Sequence, residues 1–423
     1  MSDPASASVN ASVSASVNAS VNAAITDLKL GDFQSRWDTA KLISGFGEAA
    51  IAPLLQLLKL QHEDSEDWEL TWFIARILGT LEHPSAIEAL VNLIRDGAHE
   101  EVANMAATAL SSLGVKAIAP LQTLLNDEST YPLAIQSLVQ IRDPDTVPSL
   151  LQAVNHASPS LRVVAIEALK DFQHPDISAA LLDALQDPES QVRQAAVVAL
   201  GRPVTLQDRQ DLAERLTPLL WDLNLEVCRQ TAIALGRIGT NTAVQGLSRI
   251  LQSPHTPMRL QVETIRALAW IGTSEALNCL SLFLERCQTE YSTPSMTPHP
   301  PDHLLTDREI LTVLGRVDSA EAKAQAALIL IEILQSKHPI ARTIPGKQAI
   351  ALSLGHLGQL PALNTLIQLL GDPHASVRFH AIAALKQLEP QAAYEKLQML
   401  AAQDNLERSL KQGVAIALQE WSN

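Results

Sequence analysis

The stretch QVRQAAVVALGR at residues 191–202 decides the fold, because close variants of it recur along the chain. The clearest variants are VCRQTAIALGRIG at 227–239 and SVRFHAIAALKQL at 376–388. Within the first stretch, Val192, Ala196 and Leu200 return at helical spacing, which predicts one apolar helix face. Leucines at 212, 216, 219 and 220 repeat that spacing in the following segment. The pattern therefore predicts two amphipathic helices that pack against each other.

The residue after the closing leucine of each variant marks the repeat. We call these residues the repeat markers: Gly45 (the most degenerate), Gly79, Ser111, Val139, Lys170, Gly201, Gly236, Ala269, Gly315, Gly355, Lys386 and Gln419. Most intervals between them are about 28 to 35 residues, the length of one helix pair. The sequence thus predicts an all-α solenoid in which each pair packs on its neighbours. We expect a right-handed superhelix of about eleven helix pairs with a C-terminal capping helix.

Two segments depart from the repeat and set the predicted domains. Residues 1–29 contain the series ASVN, ASVS, ASVN, ASVN, which predicts a disordered low-complexity tail. Residues 287–304 include TEYSTPSMTPHPPDH with four prolines, which predicts a looped insertion in the repeat array. The remaining chain divides into an N-terminal arm at 30–286 and a C-terminal arm with its cap at 305–423.

Composition and charge restrict the classes of partner. Hydrophobic residues make up 47% of the chain and aromatic residues only 4%, which favours packed helices over sheet. The chain has 31 Lys and Arg against 46 Asp and Glu, a formal net charge of -15. Such a chain gains nothing from the counterion release that drives nucleic-acid binding. We therefore expect protein partners and no nucleic acid.

The cysteines and the N-terminus predict where the chain resides. Its three cysteines are too few for a disulfide framework and fit a reducing compartment. No apolar run is long enough to span a membrane, and no basic residue precedes Lys29 as a signal peptide requires. The sequence therefore predicts a cytoplasmic protein without membrane insertion.

The segments DPESQVR at 187–193 and DPHASVR at 372–378 each precede an Ala-rich helix. In this they resemble HEAT repeats of the phycobilisome-lyase type, over nearly all of residues 32–423. The resemblance implies hydrogen-bonded ladders between neighbouring repeats that involve Asp187 with Arg193 and Asp372 with Arg378. It also implies a cyanobacterial source. Relatives of this type include lyases that attach bilins to phycobiliprotein cysteines, factors for phycobilisome breakdown, and scaffolds that bind no bilin.

No catalytic motif is present, so we assign no catalytic residue. The series Cys279, Cys287, His299 and His303 resembles a zinc site only superficially. Residues eight apart on one helix are separated by about 12 Å along its axis, whereas thiolates on one zinc ion lie within about 4 Å of each other. We therefore expect no metal site and no cofactor. The glycines of LGRIG and SLGHLG are expected to end helices rather than bind phosphate.

Aromatic residues in the second repeat form the first candidate partner site. Alignment by the markers places Trp68 and Trp72 where Ser190 and Gln194 stand in a later repeat, so both indoles occupy polar positions. Arg76 continues the same helix face, and Trp37 adjoins it from the preceding repeat. Trp and Arg are the typical anchors of protein interfaces. The alternative is that the rings cover the exposed N-terminal end of the stack.

A second candidate is a row of residues directly after five consecutive markers. We call it the basic edge strip, and its members are Arg202, Arg237, Trp270, Arg316 and His356. Because packed helices lie about 8–10 Å apart, the strip is expected to run for roughly 40 Å along one edge. The alternative is that these are solvated turn residues that pair with nearby acids.

Together the patterns predict a non-catalytic scaffold or assembly factor, and the resemblance suggests phycobilisome or other photosynthetic proteins as its partners. One alternative is a phycobilin lyase, in which the strip arginines pair with the propionates of a bilin. Another is a peptide-binding regulatory adaptor unrelated to pigments.

Overall fold

The computed structural model describes residues 4–64, 67–201, 209–291, 303–336, 338–403 and 405–422. Side chains at 4–15, 62–64, 287–291, 303–305 and 422 are outside the description. Over these ranges the regular elements are 25 α-helices and four 3-10 helices, with no strand. The all-α prediction is confirmed. The chain folds as two compact units, Met1–Ala199 and Leu200–Asn423.

Unit 1 alternates marker helices with intervening helices. Its helices are α1 (Pro4–Leu30), α2 (Phe33–Ser44), α3 (Ile51–Asp64), α4 (Trp68–Leu78), α5 (Pro84–Asp96), α6 (Glu100–Ser112), α7 (Ile118–Leu124), α8 (Tyr131–Ile141), α9 (Val147–Ala153), α10 (Pro159–Leu169), α11 (Pro175–Ala184) and α12 (Ser190–Leu200). Short 3-10 helices lie at Gly47–Ala50, Gly114–Ala117 and Pro144–Thr146. The marker helices α2, α4, α6, α8 and α10 pack on one another in order. Among the intervening helices, α3 packs on α5, α5 on α7, and α9 on α11, which gives a second layer.

Unit 2 has the same two layers. Its helices are α13 (Arg209–Leu216), α14 (Leu225–Ile238), α15 (Asn241–Gln252), α16 (Met258–Ile271), α17 (Ser274–Tyr291), α18 (His303–Leu314), α19 (Ala320–Gln335), α20 (Pro339–Arg342), α21 (Ile344–Leu357), α22 (Ala362–Leu369), α23 (Ala375–Leu388), α24 (Pro390–Ala401) and α25 (Arg408–Ser422), with a 3-10 helix at Thr217–Trp221. The marker helices α14, α16, α18, α21 and α23 pack in order, and so do α13, α15, α17, α19 and α22. Eleven marker helices from α2 to α23 each precede an intervening helix, and α25 closes the series.

The marker glycines explain how closely successive marker helices approach. A Cβ built on Gly236 would lie 2.9 Å from the Cβ of Ala267 on the next marker helix. A Cβ on Gly355 would lie 2.9 Å from the Cα of Ala384 in the same way. These glycines are therefore helix contacts, while Gly239 and Gly358, with φ of 69° and 65°, end α14 and α21 in the left-handed conformation.

The prediction of a disordered tail at 1–29 is wrong over residues 16–29. Helix α1 spans Pro4–Leu30, and its Val21, Ala24 and Leu28 are buried. It packs on α2 and α3. The ASVN series repeats every four residues, close to the 3.6-residue turn, so Val17 and Val21 share a helix face with Ile25 and Leu28. The low complexity of the sequence conceals this helical period.

The predicted insertion at 287–304 is shorter than expected. Helix α17 continues through Tyr291 and α18 begins at His303. Residues 292–302 lie outside the described residues, and so does the segment 202–208. The boundary between the two compact units falls at residues 199 and 200, whereas the sequence placed a division at the insertion.

Candidate protein-binding surfaces

Helices α2 and α4 carry an aromatic–arginine cluster, which we define as Phe33, Trp37, Trp72, Phe73 and Arg76. Phe33 stacks on Trp37 with ring centroids 6.2 Å apart. Phe73 is fully buried and meets Phe33, Trp37 and Trp72 edge-on, at centroid distances of 5.3, 6.4 and 5.1 Å. The structure therefore brings Trp37 and Trp72 together across one buried ring.

Arg76 lies over this aromatic surface. Its Cζ is 3.8 Å from the centroid of the Trp37 ring and 5.9 Å from that of Trp72. Within the described residues its side chain forms neither a hydrogen bond nor an ion pair. A guanidinium already held over an indole loses little side-chain entropy when it binds, and its N–H donors remain available. Phe33 beside it is 53% exposed. The cluster thus offers apolar area and an oriented cation.

Two results about this cluster differ from what the sequence suggested. Trp68 lines a cleft of about 230 Å³ with Leu58, Thr71 and Val102, so it is not part of the cluster. As the first residue of α4, it lies beside the turn before α6 rather than over the middle of α2. Helix α1 precedes α2 and packs on it, so α2 is not the first helix of the stack.

Sequence reasoning missed Phe33 and Phe73. Phe33 stands four residues before Trp37, so the i, i+4 spacing on α2 contains the signal that would have found it. Phe73 gives no such signal, because it aligns with an ordinary core position of the repeat.

The basic edge strip is fully accessible where the structure describes it. Arg237, Arg316 and His356 are exposed, and Trp270 is 77% exposed. None of these four side chains forms a hydrogen bond or an ion pair with another described residue. The described strip residues are therefore not paired with nearby acidic side chains. Arg202 lies outside the described residues.

Arginines in the middle of the same helices behave differently. Arg229 contacts Glu226 at 2.7 Å and Glu263 at 3.3 Å. Arg266 contacts Glu263 at 3.1 Å and Glu309 at 2.7 Å. This network links α14, α16 and α18. Glutamates of unit 2 thus pair with the mid-helix arginines Arg229 and Arg266, whereas the strip arginines Arg237 and Arg316 have no acidic partner among the described residues.

The side chains of Cys287, His299 and His303 lie outside the described residues. No cluster of three His, Cys, Asp or Glu side chains that could hold a metal occurs in the described part of the chain. In that same part, no helix combines the length and apolarity needed to cross a membrane.

A family model of HEAT repeats matches residues 51–139, 132–201, 147–234, 178–264 and 327–419. This chain belongs to the HEAT-repeat family. The match is to HEAT repeats in general and does not distinguish the phycobilisome-lyase type. A comparison with curated protein sequences gives no match.

Two solved chains match this chain over most of its length. One is in the crystal structure of Kap121p bound to Pho4p, with a TM-score of 0.48 and 15% identity, covering 96% of this chain and 45% of that chain. The other belongs to a structure of Kap95p binding to RanGDP, with a TM-score of 0.45 and 14% identity, covering 96% of this chain and 60% of that chain. The present chain thus spans about half the length of these solved chains.

The HEAT junctions are held by different partners from those that the resemblance implied. The carboxylate of Asp187 is bound by Arg162 of the preceding repeat, through Nε and Nη2 at 2.8 Å each. Arg162 also donates to the backbone carbonyls of His156 and Ala157, at 2.9 and 3.0 Å. Both side chains of the pair are 11% exposed. Arg162 therefore joins its own turn to the next repeat.

The arginines of the two DPxxxVR motifs hold their own turns. Arg193 donates to the carbonyl of Asp187 at 2.7 Å and to that of the following proline at 2.9 Å. Arg378 donates to the carbonyl of Asp372 at 2.9 Å and to that of its following proline at 3.0 Å. The carboxylate of Asp372 is bound by Lys347 of the preceding repeat.

The electrostatics of Asp187 follow from this arrangement. Burial raises the pKa of the Asp187 carboxyl, but the hydrogen bonds from Arg162 and from the Glu189 N–H outweigh it, so the pKa lies below its usual value. The carboxylate therefore stays charged and keeps the junction closed at neutral pH.

Proposed function

We propose that this HEAT-repeat chain is a non-catalytic scaffold that holds a protein partner, with the aromatic–arginine cluster as an anchor. The observation that carries the proposal is Arg76, held 3.8 Å from the Trp37 centroid without an acidic partner among the described residues. Aromatic residues and arginine dominate the binding energy of protein interfaces. A scaffold of this kind requires no cofactor, and we propose that it acts in the cytoplasm.

The test compares capture of a partner from extracts of the native host by three forms of the chain. Wild type, Arg76→Glu and the control Trp221→Ser are used, because Trp221 is 51% exposed and belongs to unit 2 rather than to the cluster. The captured protein is then purified and its affinity measured against each form. We expect Arg76→Glu to weaken binding by more than about tenfold while the melt is unchanged, since hot-spot losses are about 2 kcal/mol or more. Equal affinities for all three forms would contradict the anchor.

A finer proposal names the partner as a phycobiliprotein or another photosynthetic protein. It rests only on the DPESQVR and DPHASVR segments. Its test is whether the captured protein carries a bilin-attachment cysteine. Absence of any pigment protein from the captured set would favour the general regulatory adaptor instead.

The competing proposal from the same resemblance is a bilin lyase. Co-expression of the chain with a bilin and candidate acceptor subunits distinguishes the two, with denaturing electrophoresis and zinc-enhanced fluorescence as the readout. A covalent fluorescent band that depends on this chain would replace the scaffold by the lyase. An unlabelled acceptor that still binds the chain would favour the scaffold.

A further inference from the structure

The basic edge strip of unit 2 lies on four successive marker helices. Arg237 is in the last turn of α14 and Trp270 in that of α16. Arg316 is the second residue after the end of α18, and His356 is in the last turn of α21. These helices pack in this order. Since packed helices are about 8–10 Å apart, the four side chains span about 24–30 Å. The four residues therefore follow one another along the C-terminal ends of successive marker helices.

Local structure does not account for the strip. The C-terminal end of a helix carries a partial negative charge, which stabilises a cation there. That effect explains a basic residue at Arg237 or His356, but it does not explain Trp270, which is uncharged and 77% exposed. Asp318 stands two residues after Arg316, yet the described residues contain no ion pair between them. The strip thus combines unpaired cations with an uncovered indole.

The chemistry of the strip selects its occupant. On a chain of formal net charge -15, the mid-helix arginines Arg229 and Arg266 are neutralised by glutamates. Cations left unpaired on such a protein are complementary to carboxylates from outside it. A span of about 24–30 Å equals about eight residues of extended chain at roughly 3.3 Å per residue. The spacing between neighbouring strip residues equals about three residues.

We propose that the basic edge strip binds an acidic protein segment in extended conformation. Its carboxylates lie opposite Arg237, Arg316 and His356, and an apolar residue lies on Trp270. The order along the segment is acid, apolar, acid, acid, each about three residues after the last. This site is in unit 2 and is separate from the aromatic–arginine cluster of unit 1, so either assignment stands without the other.

The test uses the full chain and a fluorescein-labelled synthetic peptide, EGSLGSEGSE, whose glutamates and leucine have this spacing. Fluorescence anisotropy at low salt measures its affinity against the peptide QGSLGSQGSQ. The double variant Arg237→Glu with Arg316→Glu is compared with the control Arg249→Glu with Arg259→Glu. The two control arginines are also exposed in unit 2 and unpaired among the described residues, so both double variants change the net charge equally.

We expect the acidic peptide to bind and the glutamine peptide to bind at least about tenfold more weakly. The strip variant should lose about tenfold or more in affinity, while the control should change less than about twofold, because only the strip charges face the peptide. Trp270→Ser should weaken binding by a few-fold. Equal losses in the two double variants would show that only overall charge matters and would overturn the proposal. Equal affinities for the two peptides would overturn it as well.

Discussion

Replacing Arg162 by methionine should loosen the junction between α10 and the turn before α12. The change removes two hydrogen bonds of 2.8 Å to the carboxylate of Asp187 and leaves that carboxylate 11% exposed without its cation. It also removes the two bonds to the carbonyls of His156 and Ala157. Loss of one partner of a buried pair typically costs about 3–5 kcal/mol. We expect about 3 kcal/mol, since both side chains remain slightly hydrated.

The comparison is Arg378→Met, which removes only hydrogen bonds to the two carbonyls of its own turn. Its cost should be about 1–2 kcal/mol, at the low end of the roughly 1.5–3 kcal/mol typical of hydrogen bonds to charged groups, because the bond to the proline carbonyl is exposed. A double-mutant cycle with Asp187→Asn separates the ion pair from the carbonyl bonds. The cycle should give a coupling of at least about 1 kcal/mol between positions 162 and 187.

Urea unfolding and hydrogen exchange of the amides in α10 and α12 measure these effects. Because the pKa of Asp187 is lowered, the pair stabilises the fold above the unfolded value near 3.9 and its contribution is lost as the pH falls through the folded value. The difference between wild type and Arg162→Met should therefore shrink in acid. Two results would refute a stabilising ion pair between Arg162 and Asp187. One is additive effects of Arg162→Met and Asp187→Asn, and the other is a stability difference between wild type and Arg162→Met that does not change with pH.

Three further changes test the packing. Gly236→Ala should lower the free energy of unfolding by about 1–3 kcal/mol, because the new Cβ would lie 2.9 Å from that of Ala267; an unchanged urea midpoint would contradict this close approach. Burial lowers the pKa of His338 despite its hydrogen bond to Leu284, so stability should fall as the pH drops below about 6.5, with a smaller slope in His338→Asn. Leu28→Ala should destabilise unit 1 by about 2–5 kcal/mol, since Leu28 is fully buried. An unchanged melting temperature would instead support a disordered N-terminal tail.

The repeat fold was predictable because its signal is local and repeated. A closing leucine recurs near the end of most marker helices, as before Gly79 and Gly355. The proximity of Trp37, Trp72 and Arg76 was also predictable, since two adjacent repeats place the same helix face side by side. These inferences need only helical spacing and the order of the repeats.

The ion-pair partners at the junctions and the position of Trp68 could not be predicted, because the repeat pattern does not contain them. The partner of Asp187 lies 25 residues earlier in the chain, and nothing near the motif identifies Arg162. The same holds for Lys347, which binds Asp372 across one repeat. Trp68 shares a face with Trp72 on an ideal helix, but its place at the first residue of α4 directs it to a different cleft.

The central claim is that a partner contacts the aromatic–arginine cluster, and site-specific photo-crosslinking tests it most directly. A benzophenone amino acid is placed at Phe33, which is 53% exposed on the cluster, and separately at Trp221, which is 51% exposed in unit 2. Each protein is irradiated with the purified partner. We predict a crosslinked species from position 33 and none from position 221. A crosslink from position 221 alone, or none from position 33 although the complex forms, would contradict the account.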